Sequence, residues 1–266
     1  MVFISSCHVL SPMRIAIAQV RGQMDDPPAN ASKAKMLLNN TDVDLLIFPE
    51  LFATGYDKEC GKFADNMETL FMAKVIKNMN GRSVLFGRPV RDNGKLYDCA
   101  VLSDGANEQI YKKIHLDVNE KFSEKDVFAA GNEPKIFEFK GLRIGMAIGN
   151  DVMFNELFRW YASKNTDMVI CISAVSKAVL EKYEKVLPAR CVENSMEMIF
   201  VNMVGPDPGF TMGGGSKYIS SDGSVIENCP DSSDVRIIKL DEEKIKASKE
   251  RRGFLKEIRK DIDWTV

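Results

Sequence analysis

A sharp turn from a buried strand into a helix restricts the possible folds of this chain more than any other sequence feature. Five mostly apolar residues, 144–148, lead into Gly149 and Asn150, and both of these residues tolerate unusual backbone angles. Asp151 then stands at a favourable N-cap position for a helix predicted at residues 154–163. Such an elbow presents one side chain at the edge of a sheet, where many enzymes place a nucleophile. The residue at the apex of this elbow is Gly149, so no side chain is presented there.

Alternating strand and helix patterns along the chain indicate a layered α/β fold. Strand–helix–strand crossovers are mixed with antiparallel hairpins, whose turns include Asp92-Asn93-Gly94. Helices are predicted at residues 30–38, 62–77, 154–163, 180–196 and 241–261. Strands are predicted at residues 14–20, 43–48, 83–90, 96–103, 109–115, 135–139, 143–148, 167–173, 199–204, 215–220, 224–227 and 235–240. We therefore predict an α/β (α+β) fold in which two sheets pack face to face with helices outside, a four-layer α-β-β-α sandwich.

Length and charge restrict the class of protein further. The 266 residues favour one large domain at residues 13–266 that ends in a charged tail, with residues 1–12 as an N-terminal extension. This extension has no basic segment before its apolar residues, so we do not expect a signal peptide. No stretch approaches the ~18 consecutive apolar residues of a membrane span, and the net charge of −2 gives no electrostatic reason to expect nucleic acid or an anionic membrane as a partner. We expect a cytoplasmic protein.

The residues that usually bind metals and cofactors do not form a recognisable site. The six cysteines have no paired spacing, and several stand in apolar segments, so we expect reduced, buried thiols. The two histidines, His8 and His115, are too few and too far apart for a zinc site. The glycine-rich stretch at residues 213–217 lacks the Gly-Lys-Ser/Thr order of a phosphate-binding loop, and no dinucleotide-binding fingerprint occurs. We predict that the protein uses no metal and no cofactor.

Glu50 is the first candidate for a catalytic group. It follows directly after a buried strand at residues 43–48, which places it at the carboxyl edge of a sheet. Its neighbours Leu51 and Phe52 are apolar, so the pKa of its carboxyl group should be raised, which suits a general base. The alternative is an ordinary solvated loop residue.

Lys113 is the second candidate. In the predicted strand at residues 109–115, alternation places Lys112 and Lys113 on opposite faces, so one lysine points inward. A buried lysine needs a carboxylate partner or a catalytic role. The alternative is that both are ordinary lysines at a strand end.

Two further motifs carry little information when each is taken alone. Phe122-Ser123-Glu124 is followed seven residues later by Gly131. On a predicted helix, Arg190 and Glu193 are three residues apart and could pair on one face.

Together these segments resemble the nitrilase superfamily of carbon–nitrogen hydrolases, in its amidase-like branch. The resemblance extends from Met13 to the tail and includes the helix signature at Arg190, Glu193 and Asn194 and the glycine-rich stretch before Ser216. It implies that Glu50 is the general base, Lys113 the catalytic lysine and Glu124 a second, structural or assisting glutamate. In this family a cysteine attacks an amide or nitrile carbon to form a covalent intermediate, with help from the base and from the positive charge of the lysine.

The position of the family cysteine is Gly149. The family pattern at the elbow is Ile-Cys-Tyr-Asp-x-x-Phe-Pro-Glu, and Asp151, Phe154 and Glu156 align with it without a gap. The tyrosine is replaced by Asn150. Several elbow residues differ from the pattern together, which favours natural divergence over a single engineered substitution. Without the thiol the covalent route is lost, and loss of a nucleophile typically lowers the rate by several orders of magnitude.

Two functions follow from these observations. The first is hydrolysis of a small-molecule amide at a Glu-Lys-Cys type site that is inactive or impaired because Gly149 occupies the cysteine position. The second is a non-catalytic role as a small-molecule binder or partner subunit. A water molecule beside Glu50, or Cys171 on the next strand, could stand in for the missing nucleophile, although burial should raise the pKa of that thiol. We also expect Tyr56, Asn150 and Ser173 to contact the ligand, and the resemblance implies a homodimer.

Overall fold

The computed structural model describes residues 12–119, 121–207, 210–259 and 261–262. Apart from Pro12, the expected N-terminal extension lies outside the described residues, together with Cys7 and His8. The division into an extension and a single domain therefore stays a prediction.

The described residues form fourteen strands and five α-helices, and the strands are arranged in two large sheets and one small hairpin. The strands are β1 (Arg14–Gln19), β2 (Leu45–Ile47), β3 (Ser83–Asp92), β4 (Lys95–Ser103), β5 (Glu108–Lys112), β6 (Ile136–Phe139), β7 (Leu142–Ile148), β8 (Met168–Ser173), β9 (Glu197–Asn202), β10 (Val204–Asp207), β11 (Phe210–Gly213), β12 (Lys217–Ile219), β13 (Val225–Asn228) and β14 (Asp234–Lys239). The helices are α1 (Pro27–Asn40), α2 (Ala73–Ile76), α3 (Asn155–Ser163), α4 (Lys177–Asn194) and α5 (Glu242–Glu250).

The two large sheets have six strands each and share one design. The first has the order β14-β1-β2-β3-β4-β5 and the second the order β13-β12-β9-β8-β7-β6. In the first sheet β1, β2 and β3 are parallel, and in the second β7, β8 and β9 are parallel. The remaining pairs are antiparallel. The parallel strands at the centre of each sheet are connected through helices, which must therefore cover the outer faces.

Alternation along the strands divides the core into three apolar layers. Ile15 and Ile17 of β1 point between the sheets, where they share a cluster with Ile144 of β7. The intervening Ala16 packs under α1, and Ala147 of β7 packs under α3 and α4. The order is helices, sheet, sheet, helices, so the predicted four-layer α-β-β-α sandwich is confirmed.

Two segments differ from the sequence-based expectations. The continuous helix predicted at residues 62–77 is instead a 3₁₀ turn at Cys60–Asn66, a π turn at Glu68–Met72 and the short α2. The single strand predicted at residues 199–204 ends at Asn202, whose side chain binds the backbone of Val175 and Gly214. Beyond these side-chain bonds the chain leaves the sheet and forms the separate β10–β11 hairpin.

Three further predictions concern the C-terminal tail, the cysteines and membrane-spanning segments. The helical tail predicted at residues 241–261 consists of α5 and a 3₁₀ turn at Arg251–Glu257. The described cysteines are all free and buried, as expected for reduced thiols; they are Cys60, Cys99, Cys171, Cys191 and Cys229. Within the described ranges, no helix is long and apolar enough to cross a bilayer.

Candidate active site

A cavity of about 510 Å³ lies where central strands of both sheets end. Glu50 follows β2, Lys113 follows β5, Gly149 follows β7 and Ala174 follows β8, and all four residues line the cavity. Ligands in open α/β sheets bind at this carboxyl edge of the strands. The topology therefore gathers three of the predicted site residues, Glu50, Lys113 and Gly149, around one opening.

Lys113 is the centre of a buried ionic cluster. Its Nζ lies 2.6 Å from Glu50 Oε1, 2.7 Å from Glu124 Oε1 and 3.9 Å from Asp98 Oδ2. Only 1% of Lys113 is exposed. Burial lowers the pKa of its ammonium group, but the carboxylates of Glu124 and Glu50 outweigh burial and hold that pKa well above its usual value. Lys113 is therefore a permanent positive charge.

Lys113 lies one residue beyond the end of β5, where the strand predicted at residues 109–115 already stops, and its side chain points inward. The preceding Lys112 points away from the cluster, and its Nζ lies 2.6 Å from Asp92 Oδ2. The backbone of Lys113 is fixed on both sides, since its N–H donates to Asp98 and its carbonyl accepts from Gly131. A Cβ on Gly131 would lie 2.3 Å from the carbonyl oxygen of Lys112, so this contact requires glycine. The prediction that one of the two lysines points inward is confirmed.

Glu50 lies on a tight turn at the end of β2. Its Oε2 accepts a hydrogen bond of 2.7 Å from the backbone N–H of Ala174, which ties the two sheets together. The next residue, Leu51, adopts a left-handed backbone with φ of +47°, a conformation that costs energy for a residue with a side chain. Gly87 of β3 packs against this turn so closely that a Cβ would lie 2.0 Å from the nitrogen of Leu51. Burial raises the pKa of Glu50, as predicted, even though Lys113 opposes that shift.

Glu124 is held by hydrogen bonds to both of its oxygens. Tyr56 donates to Oε1 at 2.6 Å, and the backbone N–H of Asp117 donates to Oε2 at 2.8 Å. The side-chain amide of Asn119 in turn donates to the Tyr56 hydroxyl. Tyr56, a predicted ligand contact, therefore lines the cavity and also orients Glu124.

Asp98 also belongs to the cluster, although it was not among the site residues predicted from the sequence. It is fully buried on β4. Burial and then the neighbouring Glu50 carboxylate raise the pKa of Asp98 well above its usual value. An aspartate between apolar residues of a predicted strand was the signal that could have revealed it.

The cluster's carboxylates satisfy a simple geometric criterion for a cation site. One oxygen each from Glu50, Asp98 and Glu124 lies within 4.8 Å of the others. The Lys113 ammonium already lies between these oxygens and supplies the positive charge they require. The arrangement is thus an ion cluster built around a lysine.

The elbow at Gly149 faces this cluster directly. Gly149 has φ of +46°, and a Cβ built on it would lie 3.0 Å from Glu50 Oε2 and 3.1 Å from Lys113 Nζ. A side chain at position 149 would therefore meet both the base and the ammonium group.

Asp151 fixes the elbow, although its predicted role as a helix N-cap is wrong. The elbow is a 3₁₀ turn at Gly149–Met153, and α3 begins only at Asn155. The carboxylate of Asp151 instead accepts from the backbone N–H of Ile148 and of His115 and from the Tyr111 hydroxyl. These bonds tie β7 to the segment that carries Lys113.

The helix signature on α4 also supports the elbow. Arg190 donates to the carbonyl oxygens of Val152 at 2.8 Å and Met153 at 2.9 Å. It also pairs with Glu193 at 3.1 Å, which confirms the predicted pairing. Arg190 is therefore a positioning residue for the backbone of the elbow.

The remaining predicted residues are divided between the cavity and the core. Asn150 is half-buried and lines the cavity. Ser173 is fully buried and does not belong to the cavity lining, and its hydroxyl has no hydrogen-bond partner among the described residues. Burial raises the pKa of the Cys171 thiol well above its usual value, which favours an unreactive thiol. The ligand-contact roles of Tyr56, Asn150 and Ser173 stay predictions.

The geometry supports three chemical operations. Glu50 can accept a proton from a group at the elbow, Lys113 can stabilise negative charge that develops nearby, and Glu124 keeps the ammonium group in place. The elbow itself supplies backbone groups but no nucleophilic side chain.

The chain is similar to known proteins over most of its length. A family model described as carbon–nitrogen hydrolase matches residues 14–250. The chain is 25% identical to an (R)-stereoselective amidase of a Pseudomonas species over 256 residues, which cover 93% of this chain and 92% of that protein.

Two solved structures share the fold. A carbon–nitrogen hydrolase superfamily protein from Xanthomonas campestris, whose active site carries an arsenic adduct, superimposes with a TM-score of 0.83 at 22% identity and covers 97% of this chain and 99% of its own. A glutamate-to-glutamine mutant of an amidase from Nesterenkonia superimposes with a TM-score of 0.79 at 22% identity, covering 94% of this chain and 95% of its own. That structure carries the acetamide moiety of fluoroacetamide covalently at its active-site cysteine.

Proposed function

The chain belongs to the carbon–nitrogen hydrolase family, and from that membership we propose that it binds a small-molecule amide at Glu50 and Lys113 without forming a covalent intermediate. The observation that carries the proposal is the position that a side chain at residue 149 would occupy. A Cβ at Gly149 would lie 3.0 Å from the carboxylate of Glu50 and 3.1 Å from the ammonium group of Lys113. Base and positive charge are both kept, and only the nucleophile is lacking.

The retained groups suit recognition of an amide. The ammonium group of Lys113 can donate toward an amide carbonyl oxygen, and the carboxylate of Glu50 can accept from an amide N–H. Both groups are held by further hydrogen bonds, to Glu124 and to Ala174 N–H. Because the cluster is fixed before any ligand arrives, little ordering is needed on binding.

A cysteine at position 149 would complete the chemistry that the family uses. Glu50 would take the thiol proton, and the sulfur would attack the carbonyl carbon while Lys113 stabilises the oxyanion. The amine would leave with a proton returned by Glu50, and water would then hydrolyse the thioester to the acid. In the Nesterenkonia amidase the active-site cysteine reacts with fluoroacetamide, which makes this compound a suitable probe.

The test compares Gly149→Cys with Gly149→Ala. Both variants add a Cβ at a left-handed position, which costs about 1–2 kcal/mol of unfolding free energy, so they match in strain and differ in the thiol. We expect Gly149→Cys to gain a covalent acetamide adduct at residue 149, located by peptide mass mapping, and to hydrolyse members of an amide panel. The protein as sequenced and Gly149→Ala should do neither.

The same experiment identifies the alternatives. Amide turnover by the protein as sequenced, abolished by Glu50→Gln, would mean that a water molecule replaces the thiol, and it would contradict the proposal. Labelling of Cys171 that a substrate analogue blocks would point to a substitute nucleophile. An absence of amide binding in every variant would leave a role as a partner subunit.

The assembly and the surroundings of the protein belong to the proposal as well. We expect a homodimer and a small-molecule amide ligand, with no nucleic acid or membrane partner, in a cytoplasmic protein. These expectations derive from the family resemblance and from the net charge of −2.

A further inference from the structure

Asp98 differs from the other carboxyl groups of the buried cluster because no donor faces it. If Asp98 is ionised, neither of its oxygens has a hydrogen-bond partner among the residues that the structure describes. The ammonium group of Lys113 lies 3.9 Å from Oδ2, which is beyond hydrogen-bond distance. Because Asp98 is fully buried on β4, water does not replace the missing donors. A buried carboxyl group in these surroundings is more stable with a proton than as an ion.

The two glutamates of the cluster are supplied with donors. Glu50 accepts from Lys113 at Oε1 and from the backbone N–H of Ala174 at Oε2. Glu124 accepts two donors at Oε1 and one at Oε2. Donors that point at a carboxylate stabilise its ionised form. The hydrogen bonds of the cluster therefore favour charge on Glu50 and Glu124 rather than on Asp98.

The charge balance of the cluster leads to the same result. Lys113 is one positive charge beside three carboxyl groups, so full ionisation would leave two uncompensated negative charges in the interior. The thiols near Asp98 do not change this balance, because burial raises the pKa of both Cys60 and Cys99 and keeps them neutral. Buried carboxyl groups without a counter-charge take up protons. The balance therefore favours at least one protonated carboxyl group.

A proton on Asp98 has an acceptor within reach. One oxygen of Asp98 lies within 4.8 Å of an oxygen of Glu50, and each oxygen of Glu50 has one described donor although it can accept two. Burial is the main cause that raises the pKa of both groups. Their mutual hydrogen bond, in contrast, raises the pKa of Asp98 and lowers that of Glu50. This opposite effect is expected when Asp98 donates and Glu50 accepts.

We propose that Asp98 is a protonated positioning residue, which donates a hydrogen bond to Glu50 and so keeps Glu50 ionised and oriented toward the ligand. Asp98 does not line the cavity, so it acts through Glu50 and not on the ligand itself. This inference rests on the proposed function, because Glu50 is the group that accepts from the amide N–H of the ligand.

The opposite placement of the proton fits the contacts less well. A proton on Glu50 would weaken its ion pair with Lys113, whose Nζ lies 2.6 Å from Oε1. It would also leave Asp98 as a buried ion at 3.9 Å from the same ammonium group, without a hydrogen bond from it. The proton is therefore better placed on Asp98, where it adds a hydrogen bond and removes no ion pair.

Infrared spectroscopy tests the proton in the protein as sequenced, without a ligand. A carboxylic acid and a carboxylate absorb at different frequencies, so the spectrum of the protein minus that of Asp98→Asn shows which form the substitution removes. We expect the difference at pH 7 to contain one acid band and no carboxylate band. The control Asp92→Asn removes a carboxylate that pairs with Lys112 at a partly exposed site, so its difference should show a carboxylate band. Loss of a carboxylate band in Asp98→Asn would overturn the inference.

A pair of substitutions tests the effect on Glu50. Asp98→Asn keeps an N–H donor that can face Glu50, whereas Asp98→Leu has a similar size and no donor. In the Gly149→Cys background, adduct formation with fluoroacetamide should fall at low pH as Glu50 takes up a proton. We expect the midpoint of this fall to lie about one pH unit higher with Asp98→Leu than with Asp98→Asn. The rates at the acid end should then differ about tenfold, the usual effect of one hydrogen bond to a charged group.

The outcomes separate this inference from the proposed function. Equal midpoints for Asp98→Leu and Asp98→Asn would show that the side chain only fills space, which overturns the inference and leaves amide binding intact. If Gly149→Cys forms no adduct, the completed site that supports the proposed function fails, and the infrared comparison still decides the state of Asp98. The same comparison decides it if Asp98→Leu does not fold.

Discussion

Two buried carboxylate networks meet at the elbow, one around Asp151 and one around Lys113, and they have different roles. Asp151 accepts hydrogen bonds from the backbone N–H groups of Ile148 and His115 and from the hydroxyl of Tyr111, and its Oδ1 also lies 2.9 Å from Nδ1 of the His115 ring. The network around Lys113 instead places three carboxyl groups near one ammonium group. The first network fixes a backbone, and the second concentrates charge at a cavity.

The comparison explains how the site keeps its form although position 149 carries no side chain. None of the hydrogen bonds of Asp151 involves a side chain at residue 149. The contacts of Lys113 likewise come from Glu50, Glu124 and Asp98. A side chain at position 149 can therefore be absent without disturbing either network.

The largest expected effect on stability comes from removing the positive charge of Lys113 from its cluster. Lys113→Met leaves buried carboxylates without their counter-charge, so we expect a loss of about 3–5 kcal/mol of unfolding free energy at neutral pH. The loss should shrink as the pH falls, because the carboxylates become neutral. Urea unfolding measures both effects.

The neighbouring lysine is the control for that measurement. Lys112 pairs with Asp92 at a partly exposed site, so Lys112→Met should cost less than about 1 kcal/mol. If the two substitutions cost the same, the buried cluster is not held together by the charge of Lys113.

An intermediate effect on stability is expected in the network around Asp151. In Asp151→Asn one acceptor oxygen becomes an NH₂ group that faces donors, so at least two donors lose their partner. We expect a loss of about 2–3 kcal/mol of unfolding free energy, without the strong pH dependence of Lys113→Met. The exposed Asp104 accepts from two turn N–H groups, and Asp104→Asn, as the control, should cost about 1 kcal/mol or less. A pH dependence like that of Lys113→Met would show that the networks are not distinct.

The smallest effect concerns Asp98, whose folded-state pKa is raised by burial and by Glu50. The stability contributed by its neutral form is fully present below about pH 4, which is the pKa of an aspartate in the unfolded chain. This contribution decreases as the pH rises toward the pKa of Asp98 in the folded protein. Asp98→Asn keeps the neutral form at every pH. Its unfolding free energy should match that of the wild type near pH 4 and exceed it by about 1 kcal/mol or more at pH 7. A constant deficit across this range would contradict a raised pKa of Asp98.

Much of the fold could be predicted because periodicity is a local property. Alternating apolar residues predicted most of the strands, and the crossovers predicted the layers. The predictions were wrong where contacts between residues far apart in the sequence determine the local structure. The strand predicted at residues 199–204 ends at Asn202 because that side chain binds Val175 and Gly214. Asp151 does not cap a helix because its carboxylate oxygens accept hydrogen bonds from Ile148, His115 and Tyr111.

The candidate site was predicted only in part, for the same reason. Alternation predicted an inward lysine, and the apolar neighbours of Glu50 predicted its raised pKa. Asp98 was missed, since its importance depends on which residues face it in the packed sheets. Ser173 was predicted as a ligand contact, but its buried side chain lies outside the cavity lining.

The sequence by itself determined that position 149 carries no side chain and that Glu50 and Lys113 stand at the ends of buried strands. These are properties of residue identity and short-range pattern. Only the tertiary structure decided that a side chain at position 149 would meet Glu50 and Lys113 and that Asp98 completes the cluster. Distances between residues far apart in the chain depend on how two twisted sheets pack, and no local pattern records that packing.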